Sequence, residues 1–214
     1  MLQDQNIKGF TILELLVVIA IVAIVSAVGY PNFMKWKEDR ETRAAMEKVS
    51  TMMISLNNLS QRGNFPFVQM KITSNGTSTI INSKGMNLKT LSTRLNSGSS
   101  IDCNLANSGY WDNHLVDKTT KKVSTHIDGE GSVCFSQDGS HYKTSGKISN
   151  NLNVTVEGRS TKQYLIICSS KKTGGVKCPT NKVDGLTQPA YLVEWTRFGN
   201  ISKYKWNGSD WNRQ

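Results

Sequence analysis

Apolar residues run almost unbroken from Phe10 to Tyr30, and only Glu14 interrupts them with a formal charge. A helix of that length, at about 1.5 Å per residue, spans about 30 Å, the thickness of a bilayer's hydrocarbon core. Pro31 follows at once; it lacks an N–H and crowds the preceding turn, so a kink or an end is expected there. Beyond it the period changes to three and four. Ala45, Val49, Met52, Met53, Leu56 and Leu59 share one face, while Lys37, Glu38, Arg40, Glu41, Glu47 and Lys48 occupy the other. Gly63 with Asn64 supplies a stop. The pattern predicts a nearly continuous helix of about 50 residues, bent at Pro31, whose outer half lays an apolar stripe on something else.

From residue 63 to 214 the pattern becomes short β-branched and aromatic runs separated by Gly, Asn, Ser and Asp. The clearest strands are NVTVEG, QYLIIC, AYLVEWTRF and ISKYKW. The last two form a hairpin turning at Gly199–Asn200. Residues 74–112, rich in Ser, Asn, Thr and Gly, read as the least structured part. The expected division is 1–9 leader, 10–31 apolar helix, 32–62 amphipathic outer half and 63–214 β-rich body. The fold class is α+β, a long helix packed on a C-terminal antiparallel sheet domain.

Charge and cysteines refine this picture. The chain has 214 residues with 26 basic against 16 acidic side chains, net +10, and nearly all of the excess lies in the body. Such a surface favours anionic partners without specifying one. Cys103, Cys134, Cys168 and Cys178 are an even set with no C-x-x-C pair, and the three histidines lie at no metal-ligand spacing from them, so no metal is expected. In an oxidising compartment they pair, and the expected connectivity joins neighbours, Cys103 with Cys134 and Cys168 with Cys178; in a reducing compartment four free thiols are the alternative. No nucleophile elbow, P-loop or H-E-x-x-H occurs, and the adjacent Asp138, Ser140 and His141 do not make a triad on one strand face. A non-catalytic protein without a cofactor is expected.

Three readings of the opening stretch compete. A secretory signal peptide, cut after Ala27, fits poorly with a single base, Lys8, and with Glu14 inside the apolar run. A plain anchor leaves the carboxylate unexplained, since its burial in hydrocarbon costs about 2–3 kcal/mol at mid-depth. The third reading is a family resemblance. KGFTILELLVVIAIVAIVSAVGYPNF closely resembles the class III leader and first helix of type IV pilins and type II secretion pseudopilins, with Gly9, Phe10, Glu14 and Pro31 at the family's offsets. The resemblance covers only these residues. It implies that a membrane prepilin peptidase cuts after Gly9 and methylates the amine of Phe10. It also implies that the subunit then leaves the inner membrane for a helical filament built with other pilin or pseudopilin subunits. Glu14 is expected to pair with the Phe10 amine of a neighbouring subunit and so set the stagger, a heterologous contact that generates a helix. The alternative is a carboxylate that snorkels to the headgroups.

Beyond the first helix the length and general plan resemble minor pilins or pseudopilins of the GspH/FimT type, with the body in the periplasm or outside. Whether the machine is a type IV pilus, a type II secretion pseudopilus or a DNA-uptake filament is not written in these residues. The C-terminal hairpin adds an alternative function. Arg197, Lys203, Lys205 and Arg213 interleave with Trp195, Phe198, Tyr204, Trp206 and Trp211, the mixture of cations and aromatic faces that nucleic-acid binding uses, so DNA contact is a second expectation, centred on Arg197, Lys203, Lys205 and Trp206. Alternating aromatics along strands also serve as core, which is the competing account.

Overall fold

The computed structural model describes residues 9–63, 65–98, 103, 111, 114–127, 129–139, 144–146, 154–196 and 198–214. Its architecture is α+β and pilin-like, one long helix followed by antiparallel sheets. Two compact units divide it, Met1–Glu38 and Asp39–Gln214.

Helix α1 (Ile12–Gln61) contains Pro31 and bends between Ala27 and Gly29. That position follows from proline geometry, because the ring of residue 31 crowds the carbonyl four residues earlier, that of Ala27, and offers it no N–H. In the first unit every large apolar side chain from Phe10 to Val25 is exposed. Among the described residues no single helix is long and apolar enough to cross a membrane; Ile12–Ala27 and Gly29–Gln61 pass together on length and composition.

The second unit carries β1 (Phe67–Ser74), β2 (Ser78–Met86), α2 (Leu88–Asn96), β3 (His114–Lys121), β4 (Val123–Thr125), β5 (Gly129–Ser136) and β6 (Thr144–Gly146). It continues with β7 (Val154–Val156), β8 (Arg159–Thr161), β9 (Tyr164–Ser169), β10 (Ala190–Trp195), β11 (Ile201–Trp206) and β12 (Trp211–Arg213). One sheet has the order β3-β2-β1-β5-β6, the other β12-β11-β10-β9-β4, and β7 pairs with β8 alone. Strands β3 and β4 are edges of different sheets, joined through Lys122 in the left-handed region at φ 63°.

The outer half of α1 lies on both sheets. Ala45, Met46, Val49, Met52, Met53 and Leu56 are buried in one cluster with Val68, Met70 and Ile72 of β1 and with Leu165, Ile167, Tyr191, Val193 and Trp195 of β9 and β10. The residues that alternate with these, among them Tyr164, Ile166, Ala190 and Leu192, form a second cluster with Val154, Val156, Leu186, Tyr204, Trp206 and Trp211. Strands β9 and β10 are therefore covered on both faces, which is why they read as continuous apolar runs. Polar side chains pin the helix flanks: Asp39 meets Lys205 Nζ and accepts from the Tyr191 hydroxyl, each at 2.9 Å, and Glu47 meets Lys203 at 3.0 Å.

Residues 74–112 depart from the expectation of little structure. They hold β2 and α2, and β1 ends at Ser74; apart from Cys103 and Trp111, residues 99–110 and 112 lie outside the described residues. The polar composition misleads because the buried positions of β2 include Thr79, Ser83 and Gly85, small or hydroxylated residues, with the Phe65 ring packed where a Gly85 side chain would stand. Other polar residues make the turns and caps. Asn75 Oδ1 accepts from the N–H groups of Thr77 and Ser78 at 3.1 and 2.8 Å, and Asn87 Oδ1 caps α2 by accepting from Thr90 N–H at 2.8 Å. Gly76 closes the β1–β2 turn at φ 82° with its Cα side against the carbonyl of Gly175, and Ser124 Oγ donates to the Gly76 carbonyl. We predict that Gly76→Ala lowers stability by more than the roughly 1–2 kcal/mol of a left-handed L-residue, because the new methyl meets backbone rather than a flexible side chain. A denaturant titration checks this; a loss below that figure means the turn lifts freely off Gly175.

Candidate functional site

Sequence and geometry converge on the start of α1. Gly9, Phe10 and Thr11 precede the helix, and the Phe10 side chain is 83% exposed, so the Gly9–Phe10 peptide bond lies in non-helical, open chain. A peptidase needs an extended segment, which a helix interior would deny it. Thr11 and Glu14 then close the helix end reciprocally. The Glu14 N–H donates to Thr11 Oγ1 at 3.2 Å, and Glu14 Oε2 accepts from the Thr11 N–H and hydroxyl, both at 3.4 Å. This T-x-x-E capping box places the carboxylate in the first turn, where the helix dipole favours negative charge. Expectation had given Glu14 an intersubunit partner or, as the alternative, the headgroups, and no role within the chain. Thr11 was missed, although the spacing TILE just before an apolar run signals it in the sequence.

Residues 4–30 match the model of the prokaryotic N-terminal methylation motif. The chain carries a class III prepilin leader. The match takes in Gly9, Phe10 and Glu14 and ends at Tyr30, one residue before Pro31. No curated protein and no solved structure matches the chain significantly. What lies beyond the prepilin leader therefore has to be read from the geometry of the body.

The C-terminal hairpin is formed by β10 and β11 in antiparallel register, with Trp195 opposite Ile201 and Tyr191 opposite Lys205. Two of its expected DNA-contacting cations have partners on α1. Lys203 and Lys205 reach Glu47 and Asp39 of α1, and Lys205 Nζ lies 5.5 Å from the Tyr191 ring centroid. The hydrogen bond to Asp39 holds the Lys205 ammonium above its ordinary pKa. Trp206 is 4% exposed and sits 5.1 Å from the Trp211 ring, so no base can stack on it in this conformation. The reason is topological: the sheet is sandwiched, so one side of the hairpin meets α1 and the other meets the β7–β8 layer. Arg197 lies outside the described residues.

Both disulfides join neighbouring cysteines, Cys103 with Cys134 and Cys168 with Cys178. The first lies with Phe67, Met86, Leu91 and Trp111 under α2. The second fastens the loop after β9 to the edge of its own sheet, where the Cys178 N–H donates to the Thr125 carbonyl at 2.8 Å. On the far face of the same sheet Arg159 makes a two-pronged pair with Glu194, at 2.9 and 2.7 Å, and also donates to the Tyr204 hydroxyl. Burial alone would raise the Glu194 pKa, but the hydrogen bonds from Arg159, Thr161 and Tyr204 outweigh it and hold the carboxyl below its ordinary range.

Sequence reasoning gave His126 no role, and no signal in the residues around it could have shown its burial. Its Nδ1 accepts from the Ile166 N–H at 3.1 Å, its ring stacks on Tyr164 at 4.9 Å, and Nε2 has no partner among the described residues. Accepting at Nδ1 fixes the tautomer with the proton on Nε2. Burial pushes its pKa down to about 4, and the nearby Lys177 charge adds to that shift. Of the other histidines, His141 lies outside the described residues with Ser140, and His114 belongs to β3. Among the described residues no group of His, Cys, Asp or Glu could hold a metal ion.

Proposed function

We propose that the chain is a minor pilin or pseudopilin, a structural subunit made as an inner-membrane precursor with residues 63–214 on the periplasmic side. Prepilin peptidase cuts after Gly9 and methylates Phe10, and the subunit joins other pilin or pseudopilin subunits in a helical filament. The observation that supports this is the methylation motif over residues 4–30 on a helix whose large apolar side chains from Phe10 to Val25 are exposed. A contiguous apolar surface of that size demands a bilayer or a bundle of its own kind. The body offers no arrangement of nucleophile, base and oxyanion donors among the described residues, so a structural role is the reading. The DNA-receptor alternative is less favoured, because Lys203 and Lys205 are already paired and Trp206 is buried, while Arg197 lies outside the described residues.

Mass analysis of the mature N-terminus tests this. The expected start is N-methyl-Phe10; a start at Val28, as a signal peptidase would leave, or an intact Met1 overturns the reading. Substitutions at Glu14 then separate its two roles. Glutamine still completes a capping box, so Glu14→Gln keeps the helix end but removes the charge, whereas Thr11→Ala removes the cap and keeps the charge. If Glu14 pairs with a neighbour's Phe10 amine, Glu14→Gln loses filament incorporation by at least about tenfold while Thr11→Ala retains most of it. Equal incorporation of Glu14→Gln and the wild type means the carboxylate serves the cap alone.

A further inference from the structure

The loop between β9 and β10 is the part of the body that the filament reading does not use. Residues 170–189 carry Lys171, Lys172, Lys177 and Lys182 against a single carboxylate, Asp184. That carboxylate is occupied, accepting from Asn181 Nδ2 at 2.8 Å and from the Thr180 hydroxyl at 3.2 Å. None of the four lysines has an ion-pair partner among the described residues, although other lysines of the body, Lys71, Lys122, Lys203 and Lys205, do.

The loop is built rather than slack. Its first turn is closed by Gly175 N–H to the Ser170 carbonyl at 2.9 Å and Val176 N–H to the Thr173 carbonyl at 3.1 Å. Its second turn is closed by Leu186 N–H to the Asn181 carbonyl at 2.9 Å and Asp184 N–H to Asn181 Oδ1 at 2.8 Å. The Cys168–Cys178 disulfide and buried Leu186 tie both turns to the sheet. They lie side by side, because Lys172 and Lys177 of the first line one cavity of about 130 Å³ with Gly185, Leu186 and Thr187 of the second. Two valines stand at the turns with their side chains in water, Val176 at 62% exposure and Val183 at 95%.

We propose that these two turns dock on the surface of an anionic phospholipid bilayer, the lysines meeting headgroup phosphates and Val176 and Val183 entering the interface. Cations beside exposed aliphatic tips suit that boundary, where apolar burial and attraction to anionic lipid add. Single-stranded nucleic acid would meet the same charges but stacks its bases on aromatic faces, and residues 170–189 contain no aromatic residue; a duplex would leave Val176 and Val183 without an apolar partner. The proposal rests on the membrane-precursor reading, which brings the loop and a bilayer into one molecule and so raises their effective concentration.

The test uses the full chain mixed with vesicles of neutral phosphatidylcholine, or of phosphatidylcholine with phosphatidylglycerol, and reads amide hydrogen exchange across 170–187. Flotation with the neutral vesicles reports the apolar helix alone. Its failure counts against the membrane-precursor reading, while exchange in the loop is scored either way. We expect loop amides to exchange several-fold more slowly with anionic than with neutral vesicles. High salt should abolish the difference, as should the combined Lys171→Gln, Lys172→Gln, Lys177→Gln and Lys182→Gln substitutions. Those lysines make no ion pair among the described residues, so the variant should keep a melting temperature near that of the wild type. Val183→Ser should weaken the protection without touching the charge. Equal exchange in the two kinds of vesicle overturns the proposal. Equal protection by inorganic phosphate or by a duplex oligonucleotide without lipid overturns it as well, assigning the lysines to a free anion or to nucleic acid.

Discussion

Trp195→Ala should cost about 3–5 kcal/mol, the range for deleting a fully buried tryptophan, and lower the melting temperature by on the order of 10 °C. Trp195 is 1% exposed at the end of β10 and belongs to the cluster in which the α1 stripe meets the sheets. Its backbone N–H donates to the Gln163 carbonyl at 3.1 Å and its register partner is Ile201, so backbone pairing on both sides holds the strand in place and the cavity cannot readily collapse. Thermal unfolding of the full chain in mild detergent, followed by far-UV circular dichroism, reads the effect. Trp195→Phe, which keeps much of the volume, should lose distinctly less. A loss for Trp195→Ala near that of a surface substitution would mean that α1 and the sheets do not share one cooperative core.

The parts of the fold that could be read beforehand are those whose burial is carried by large apolar side chains. The α1 stripe from Ala45 to Leu56 and strands β7, β9, β10 and β11 fall in this class, since each needs only Val, Ile, Leu, Met, Tyr or Trp to fill a face. Strand β2 and helix α2 do not, because Thr79, Ser83 and Gly85 supply inward positions whose size is dictated by neighbours such as Phe65. The Asn75–Gly76 turn was nonetheless a strong hairpin signal in the sequence. At the start of the chain the methylation motif is local and so was legible, and the Thr11–Glu14 box lies inside it. The hairpin cations illustrate the opposite limit. Lys203 and Glu47 are 156 residues apart, and no periodicity in either segment could announce that one neutralises the other. A basic residue beside an aromatic one is a statement about composition until the opposite layer is known.

Acid should destabilise the body through His126, and the sign follows from its environment. The folded pKa is about 4 against an ordinary 6.5, so the unfolded chain binds the proton more tightly. Stability is therefore fully present above about pH 6.5, falls as the pH drops through 6.5 toward 4, and levels off below 4; the total loss is about 3 kcal/mol. Among the described residues, every group facing the ring works the same way or is too weakly placed to reverse it. The Ile166 N–H is already donated to Nδ1, so a second proton there would have to break that bond; Tyr164 offers only its ring face; Lys177 repels an imidazolium; and Asp184, which lines the same cleft, is committed to Asn181 and Thr180. Glu194, held below its ordinary pKa, also loses stability as acid protonates it, so the wild-type curve alone does not isolate the histidine. His126→Gln does, because the amide oxygen can still accept from Ile166 while nothing titrates. Denaturant unfolding at neutral pH and at pH 4 should show the wild type losing more stability than His126→Gln by about 3 kcal/mol, with the Glu194 contribution common to both. Parallel pH profiles for the two proteins would show that the ring is protonated without cost and that the Ile166 bond does not hold it neutral. The loop that His126 underlies is the one bearing Lys177 and the Cys178 anchor, so the same protonation should speed hydrogen exchange at Cys178 and Ile166 first, before the rest of the sheet yields.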